Sequence, residues 1–105
     1  MKWSELRRDP DATTRALGVL SDRWTLILLS QCHTGTVRFG EFQGRHGLSR
    51  SIVSDRLKLL MGEGILERRA YGGGRYEYRL TAKGEALAPL FAAIESWARR
   101  YAPPG

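Results

Sequence analysis

The 105 residues suit one domain, and a hydrophobic content of 42% excludes a wholly disordered chain. No apolar run approaches the ~20 residues that span a membrane, and the first fifteen residues do not resemble a signal peptide, so we expect a cytoplasmic protein. A single cysteine, Cys32, excludes an intrachain disulfide and a cysteine zinc cluster; we expect no metal and no cofactor. The net charge of +6 is concentrated in the middle of the chain, where residues 38–79 carry nine basic and five acidic side chains. This distribution is expected for a surface that faces phosphate, and a basic solvated surface with no partner is the alternative.

The first part of the chain predicts two helices. Asp11 is the expected N-cap of a helix over residues 12–20, whose apolar residues have helical spacing. Ser21 is the expected N-cap of the second helix, which carries Trp24 and ends near residues 33–35. The β-branched residues that follow predict a short strand over 36–38.

Two closely spaced helices come next. Residues 39–46 predict a short helix that Gly47 ends, and Ser49 is the expected N-cap of a longer helix over residues 50–62. A short helix, a tight turn and a longer helix with one polar face form a helix-turn-helix over residues 38–62. The inward stripe of the longer helix consists of Val53, Leu57, Leu60 and Met61.

A hairpin and a final helix complete the prediction. Strands over residues 65–71 and 76–80, joined by the glycines at 72–74, form a wing over residues 65–81. Thr81 is the expected N-cap of one helix over residues 82–101, kinked at Pro89. This helix is expected to bury Leu87, Leu90, Phe91, Ile94 and Trp97. The predicted fold is mainly α with a small β-hairpin: a single winged helix-turn-helix domain over residues 1–105.

The outward face of the helix over residues 50–62 has the side chains that DNA recognition requires. Its first turns would reach base edges in the major groove, and Lys58 would meet a phosphate. Asp55 would be repelled by DNA unless it accepts a hydrogen bond from cytosine or orients an arginine. The role of Arg56 stays open, because it can pair with Asp55 or with a neighbouring helix. The DNA-binding candidates are Arg38, Ser49, Arg50, Ser51, Ser54, Asp55, Lys58 and Arg75.

The wing has a compact glycine tip that can lie along the minor groove, with the charge of Arg75 at its base. A plain flexible turn is the alternative interpretation of residues 72–74. Arg68 and Arg69 are adjacent on a strand and point to opposite faces, so at most one of them can face DNA.

Across the predicted helices and hairpin, over roughly residues 16–97, the chain resembles the bacterial HxlR-type winged helix-turn-helix regulators. The motifs that carry the resemblance are DRWT at 22–25, RFGEF at 38–42, LS at 48–49, SDRLKLL at 54–60, GILER at 64–68 and YEYRLTAKG at 76–84. Together and in this order they are specific, although each alone is weak.

The resemblance implies a homodimer whose terminal helices, here residues 11–21 and 82–101, pack across a two-fold axis. It implies these interface candidates: Leu17, Leu20, Leu87, Leu90, Phe91, Ile94 and Trp97. The alternative is that these side chains only cover the core of one chain. Family members that sense oxidants usually keep a cysteine just ahead of the first helix, and residues 8–11 have none. A redox role for Cys32 is therefore a separate hypothesis, and a small buried side chain is its other interpretation.

The sequence thus predicts a transcriptional regulator that binds a roughly palindromic site in double-stranded DNA as a homodimer. An effector is a further hypothesis: Trp24, Trp97 and Tyr101 could line a cleft between the helices of the dimer that holds a flat aromatic compound, or could be core residues. The alternative function is a winged-helix module that binds protein without contacting DNA. We expect no enzyme and assign no catalytic residue, because nothing in the sequence places a base beside a nucleophile.

Overall fold

The computed structural model describes residues 3–20, 22–35, 37–44 and 46–105. Over these ranges the fold is mainly helical with one antiparallel hairpin, as the sequence predicts. No described helix is long and apolar enough to cross a membrane. The elements are α1 (Trp3–Leu6), α2 (Ala12–Leu20), α3 (Arg23–His33), α4 (Phe39–Gly44), α5 (Arg50–Gly62), β1 (Leu66–Gly72), β2 (Arg75–Leu80), α6 (Ala82–Glu85) and α7 (Ala88–Tyr101).

Short side chains cap the first helices. Asp11 accepts hydrogen bonds from the backbone nitrogen and the hydroxyl of Thr14 at 2.9 and 2.8 Å, which confirms its role at the start of α2. The N-cap of α3 is Asp22, whose carboxylate accepts from the Thr25 backbone nitrogen. The prediction that Ser21 caps this helix is therefore wrong; Ser21 itself lies outside the described residues. The carboxylate of Asp22, one residue after Ser21, has the capping role that was predicted for the Ser21 hydroxyl.

The single-turn helix α1 was not predicted. It packs on α2 at Gly18, where an added Cβ would lie 2.8 Å from Cβ of Leu6. A side chain at this position would therefore push the two helices apart.

The core lies between α3, α4 and α5. Leu28 and Leu29 of α3 and Phe42 of α4 are fully buried. The predicted stripe of α5 faces them: Val53, Leu57 and Leu60 are buried, and Met61 packs at the margin. This burial turns the opposite side of α5 outward.

The wing is built on the edge of this core. β1 and β2 are antiparallel, with register from Leu66 opposite Leu80 to Gly72 opposite Arg75. The three tip glycines have φ of 113°, 59° and 70°, values that side-chain-bearing residues rarely adopt. The predicted strand over residues 36–38 is reduced to a bridge between Arg38 and Glu77, and Thr36 lies outside the described residues. The tyrosine at position 78 donates its backbone N–H to the carbonyl of Val37 at 2.7 Å.

Two predicted helices have different bounds. α4 ends at Gly44 rather than near residue 46, and Gly47 adopts a φ of 61° in the following turn. The predicted helix over residues 82–101 is two helices, α6 and α7. Pro89 lies in the first turn of α7, where its missing N–H costs nothing, so it starts a helix instead of kinking one. Thr81 caps α6 by accepting from the Gly84 nitrogen, as predicted.

The prediction that the last helix buries its apolar stripe in the chain is wrong. No residue of α7, all of which the structure describes, is buried. Leu90, Ile94 and Trp97 are 38, 47 and 60% exposed. Only the start of the helix reaches the core, where Phe91 and the preceding Leu87 pack at its margin. α7 extends beyond the residues that could cover it.

Candidate nucleic-acid interface

The outward face of α5 is polar and accessible. Ser49 accepts a hydrogen bond from the Ile52 nitrogen at 3.1 Å and so caps the helix, as predicted. The cap organises the exposed N-terminus of α5, and the Ser49 hydroxyl, which accepts this hydrogen bond, still has its own O–H to donate. Four of the other candidates on the helix are exposed, and Ser54 is half-buried; the exposed ones are Arg50, Ser51, Asp55 and Lys58.

Arginines from three separate segments of the chain line one cleft between the helix-turn-helix and the wing. Arg38 precedes α4, Arg50 begins α5 and Arg75 begins β2, and all three line the same open cleft of about 580 Å³. Phe39, Tyr71 and Tyr76 supply its aromatic walls. The sequence predicted the three arginines as separate contacts, and the fold brings them together.

Aromatic rings hold two of these arginines in place. The Arg50 guanidinium carbon lies 5.3 Å from the ring centre of Phe39, and that of Arg38 lies 4.7 Å from the ring centre of Tyr71. Arg38 also lies 3.9 Å from a carboxylate oxygen of Glu77. Stacking leaves the edge of a guanidinium free to donate hydrogen bonds to an anion.

The wing contributes residues that the sequence analysis did not assign. Arg68 stacks over Tyr76 at 4.1 Å, and Tyr71 and Tyr76 are both exposed large side chains. A signal was available, since the two tyrosines flank the glycine tip in the segment YGGGRY at 71–76. On the other face of the wing, Arg69 pairs with Glu67 at 2.6 Å and Arg79 pairs with Glu77 at 2.8 Å. Arg68 and Arg69 thus have different partners on opposite faces, as expected for adjacent strand residues.

The open question about Arg56 is resolved. Its guanidinium turns inward to Asp22, 34 positions earlier, with Nη2 at 2.6 Å and Nε at 3.1 Å from Oδ2. Burial alone would raise the pKa of the Asp22 carboxyl, but hydrogen bonds from Arg56 and Thr25, together with the Arg56 charge, bring this pKa below its ordinary value. Arg56 therefore belongs to the packing between α3 and α5.

The predicted effector residues lie on α3 and α7, and the cleft predicted between the helices of a dimer stays a prediction. The rings of Trp97 and Tyr101 are in contact, with centroids 5.8 Å apart. Trp24, on α3, packs at the margin of the core, and the Arg23 guanidinium lies over its ring at 4.8 Å. In the described contacts Trp24 meets neither of the other two.

The interface candidates differ in their exposure and in what they pack against. Leu90, Ile94 and Trp97 are exposed along α7, whereas Leu87 and Phe91 pack against the core. Leu17 and Leu20 of α2 line an apolar groove of about 680 Å³ that Leu6 and Leu26 also border. Within that groove Leu17 is exposed and Leu20 is buried.

Cys32 lies in the core. Burial raises the pKa of its thiol to about 12, because a thiolate is poorly solvated there. In the described part of the chain, no three histidine, cysteine, aspartate or glutamate side chains are grouped to hold a metal ion.

Comparisons with known proteins agree with this architecture. A model of the HxlR-like helix-turn-helix family matches residues 19–105. The chain is 33% identical over 99 residues to the uncharacterised HTH-type transcriptional regulator Rv3095 of Mycobacterium tuberculosis, covering 92% of this chain and 63% of that one. It is 38% identical over 93 residues to the uncharacterised HTH-type transcriptional regulator YvaP of Bacillus subtilis, covering 86% of each. The chain thus spans less than two thirds of the length of the mycobacterial relative.

Solved structures show the same similarity. The crystal structure of PA1607 superposes with a TM-score of 0.87 at 36% identity, over 95% of this chain and 71% of that one. The reduced form of the B. subtilis transcriptional regulator YodB superposes with a TM-score of 0.72 at 28% identity, over 92% and 99% of the two chains. With the family match over most of its residues, the chain belongs to the HxlR-like helix-turn-helix family of transcriptional regulators.

Proposed function

We propose that this protein is a cytoplasmic transcriptional regulator that binds a specific site in double-stranded DNA. In this proposal α5 lies in the major groove and the wing lies along the adjacent minor groove. The observation that carries the proposal is the convergence of Arg38, Arg50 and Arg75 on one cleft between α5 and the wing. A duplex presents phosphates on both walls of its grooves, and arginines from three elements can meet them at once.

The proposed DNA contact of each polar side chain follows from its position along α5. Arg50, Ser51 and Ser54 lie in the first turns and would contact base edges, whereas Lys58 lies a turn further along and would contact phosphate. Asp55 is exposed beside them and would accept a hydrogen bond from cytosine.

The test is a titration of the purified protein with DNA from upstream of its own gene at several salt concentrations. We expect a competitor-resistant complex whose log affinity falls with log salt. Arg50→Ala should cost about 1–3 kcal/mol and relax sequence preference, and Lys58→Ala should weaken binding to every sequence. Arg99→Ala is the matched control, because it removes the same charge from α7, where Arg99 pairs with Glu95.

Unchanged affinity in both α5 variants would contradict the assignment of this face. Weak binding, equal on all DNA, would mean that the specific site lies elsewhere or that a ligand is missing. If no DNA binds even at low salt, the winged-helix module that contacts protein becomes the better account.

We infer that the DNA-binding unit is a homodimer on a roughly palindromic operator, with half-sites about one helical turn apart. The supporting observation is the exposed apolar stripe of α7, which is Leu90, Ile94, Trp97 and Tyr101. Their spacings of four, three and four place them on one side of the helix. Four exposed apolar side chains on one side of a helix favour a protein partner, and a second copy supplies an identical stripe for an isologous contact.

Sedimentation equilibrium tests the dimer. We expect a dimer for the unchanged chain and a monomer for Ile94→Asp, because a carboxylate would be desolvated in the contact. Tyr71→Ser is the control, since it removes a comparably exposed apolar side chain from the wing. A monomeric unchanged chain at tens of micromolar would contradict the inference.

An effector site is a second proposal, favoured by the exposed Trp97–Tyr101 ring pair. A flat aromatic compound could stack there, between copies of α7. Titration with benzoate should quench tryptophan fluorescence, and Trp97→Phe should remove that quenching. A flat response to benzoate would count against the site.

A further inference from the structure

The Asp22 carboxylate holds two helices at once. Its Oδ1 accepts from the Thr25 backbone nitrogen and hydroxyl at 3.0 and 3.1 Å and so fixes the first turn of α3. Its Oδ2 accepts from two nitrogens of Arg56, in the middle of α5. One side chain therefore links the start of α3 to the helix proposed to read DNA.

The surroundings of this pair make it more than a surface contact. The side chains of Arg56 and Asp22 are 25 and 31% exposed, whereas those of the Arg99–Glu95 pair are 79 and 63% exposed. Partial burial reduces screening by water and salt, and the two-nitrogen contact fixes the guanidinium plane. The pair also connects distant segments, unlike Arg69–Glu67 and Arg79–Glu77, which lie within single strands.

The position of Arg56 on α5 determines what the pair can control. The stripe of Val53, Leu57 and Leu60 holds α5 against the core. Because apolar contacts are non-directional, they fix the rotation of α5 about its own axis only loosely. Arg56 lies between the outward residues Asp55 and Lys58 in sequence and reaches inward to a fixed partner. With a helix radius of about 5–6 Å, a rotation of roughly 20° would move an outward side chain about 2 Å. A shift of this size is enough to break a hydrogen bond to a base edge.

We propose that the Asp22–Arg56 pair sets the rotation of α5 and thereby determines how well the protein discriminates its operator, although neither residue contacts DNA. Both are positioning residues. This inference rests on the proposed DNA-binding function. The competing account is that Arg56, as a basic residue of α5, contacts a phosphate directly.

The experiment compares Asp22→Asn, Arg56→Gln and the double variant. Asparagine is a good N-cap, so Asp22→Asn keeps the start of α3 while it removes the charge. We expect each single variant to lower operator affinity about tenfold and the double variant to be no worse, because both changes break one interaction. Affinity for non-specific DNA and the dependence of log affinity on log salt should stay the same. Arg99→Gln, which breaks an exposed pair, should change none of these values.

Two outcomes would overturn the proposal. If Arg56 contacts phosphate, Asp22→Asn frees it and binding to all DNA stays the same or tightens, while Arg56→Gln reduces the salt slope by about 0.9. If the pair only stabilises the fold, the variants lower the melting temperature and leave the ratio of specific to non-specific affinity unchanged.

Hydrogen exchange without DNA separates this inference from the proposed function. We expect Asp22→Asn and Arg56→Gln to speed exchange of the α5 amides, and Arg99→Gln to leave them unchanged. If the variants speed α5 exchange but the unchanged protein binds no DNA specifically, the DNA-binding proposal fails while the link between the helices stands. If α5 exchange does not change, the positioning role is refuted whatever the DNA result.

Discussion

The helices α5 and α7 have nearly the same length, 13 and 14 residues, and both carry an apolar stripe, yet their surroundings differ. The stripe of α5 is covered by its own chain: Val53, Leu57 and Leu60 are at most 1% exposed. The stripe of α7 is open to solvent along most of its length. An amphipathic pattern thus predicts that a helix face will be covered, but it does not say whether the same chain or a second copy covers it.

The ion pairs of the two helices differ in the same way. α5 is tied to α3 through Arg56 and Asp22, whereas Arg99 of α7 pairs with Glu95 on the same helix. The partners of α5 fix it in the fold, and α7 depends on the contacts of its first turns with the core. We therefore expect substitutions in the apolar stripe of α5 to change folding and those in the apolar stripe of α7 to change assembly.

The largest effect should come from Leu57→Ala, which removes a buried side chain from the core. We expect the free energy of unfolding to fall by about 2–5 kcal/mol, through lost burial and a residual cavity. Ile94→Ala, on the open stripe of α7, should stay within about 0.5 kcal/mol in dilute solution. Urea titrations of both variants at low protein concentration measure the difference. Equal losses would mean that α7 is covered within its own chain.

A smaller effect should appear when the protein concentration is varied. If a second copy covers the α7 stripe, the melting temperature rises with concentration, because association stabilises the folded state by mass action. Calorimetry across a hundredfold range should show this rise for the unchanged protein and lose it for Ile94→Asp. A concentration-independent melting temperature in the unchanged protein would argue against a dimer.

Acid should weaken the contact between α3 and α5, and this effect should be smaller than the two above. The Asp22 carboxyl has a pKa below its ordinary value, so its contribution is fully present above the unfolded-state pKa of about 3.9 and is lost as the pH falls through the folded-state value. The unfolding free energy of the unchanged protein should therefore fall more steeply below about pH 4 than that of Asp22→Asn.

Asp11 also has a lowered pKa, through hydrogen bonds from Thr14, but it is present in both proteins and cancels in the difference. Parallel pH profiles would show that the charge of Asp22 does not stabilise the contact between α3 and α5.

The smallest expected signal is the native reactivity of Cys32, next to His33, whose ring packs on Phe91 of α7. With its pKa raised to about 12, the thiol is almost entirely protonated near neutral pH. We expect iodoacetamide to label the folded protein far more slowly than the chain in urea. Equal rates would show an accessible thiol and would favour the redox hypothesis.

Local signals were sufficient for much of the fold. The helix caps and the hairpin turn depend on interactions between residues only a few positions apart, so the sequence predicts them directly. These elements are the caps Ser49 and Thr81 and the glycine-tipped hairpin. The break between α6 and α7 was also predictable from a local signal, because Pro89 favours the first turn of a helix.

Long-range pairings could not be predicted in this way. Arg56 meets Asp22 across 34 positions, and the convergence of Arg38, Arg50 and Arg75 depends on how the wing packs against α5. The exposure of α7 could not be predicted from the sequence either, because a helix that its own chain covers can have the same apolar stripe.

The hairpin has a consequence for solubility. Among the described residues β2 lies between β1 and the bridge at Arg38, so β1 is the open edge of the sheet. An unpaired strand edge can recruit strands from other molecules and begin a fibril. Three consecutive charged side chains lie along this edge, and they are Glu67, Arg68 and Arg69. Pairing with a strand of another molecule would bring that strand close to these charges, which opposes the pairing. These charges on β1 would thus help to keep concentrated protein from aggregating edge to edge.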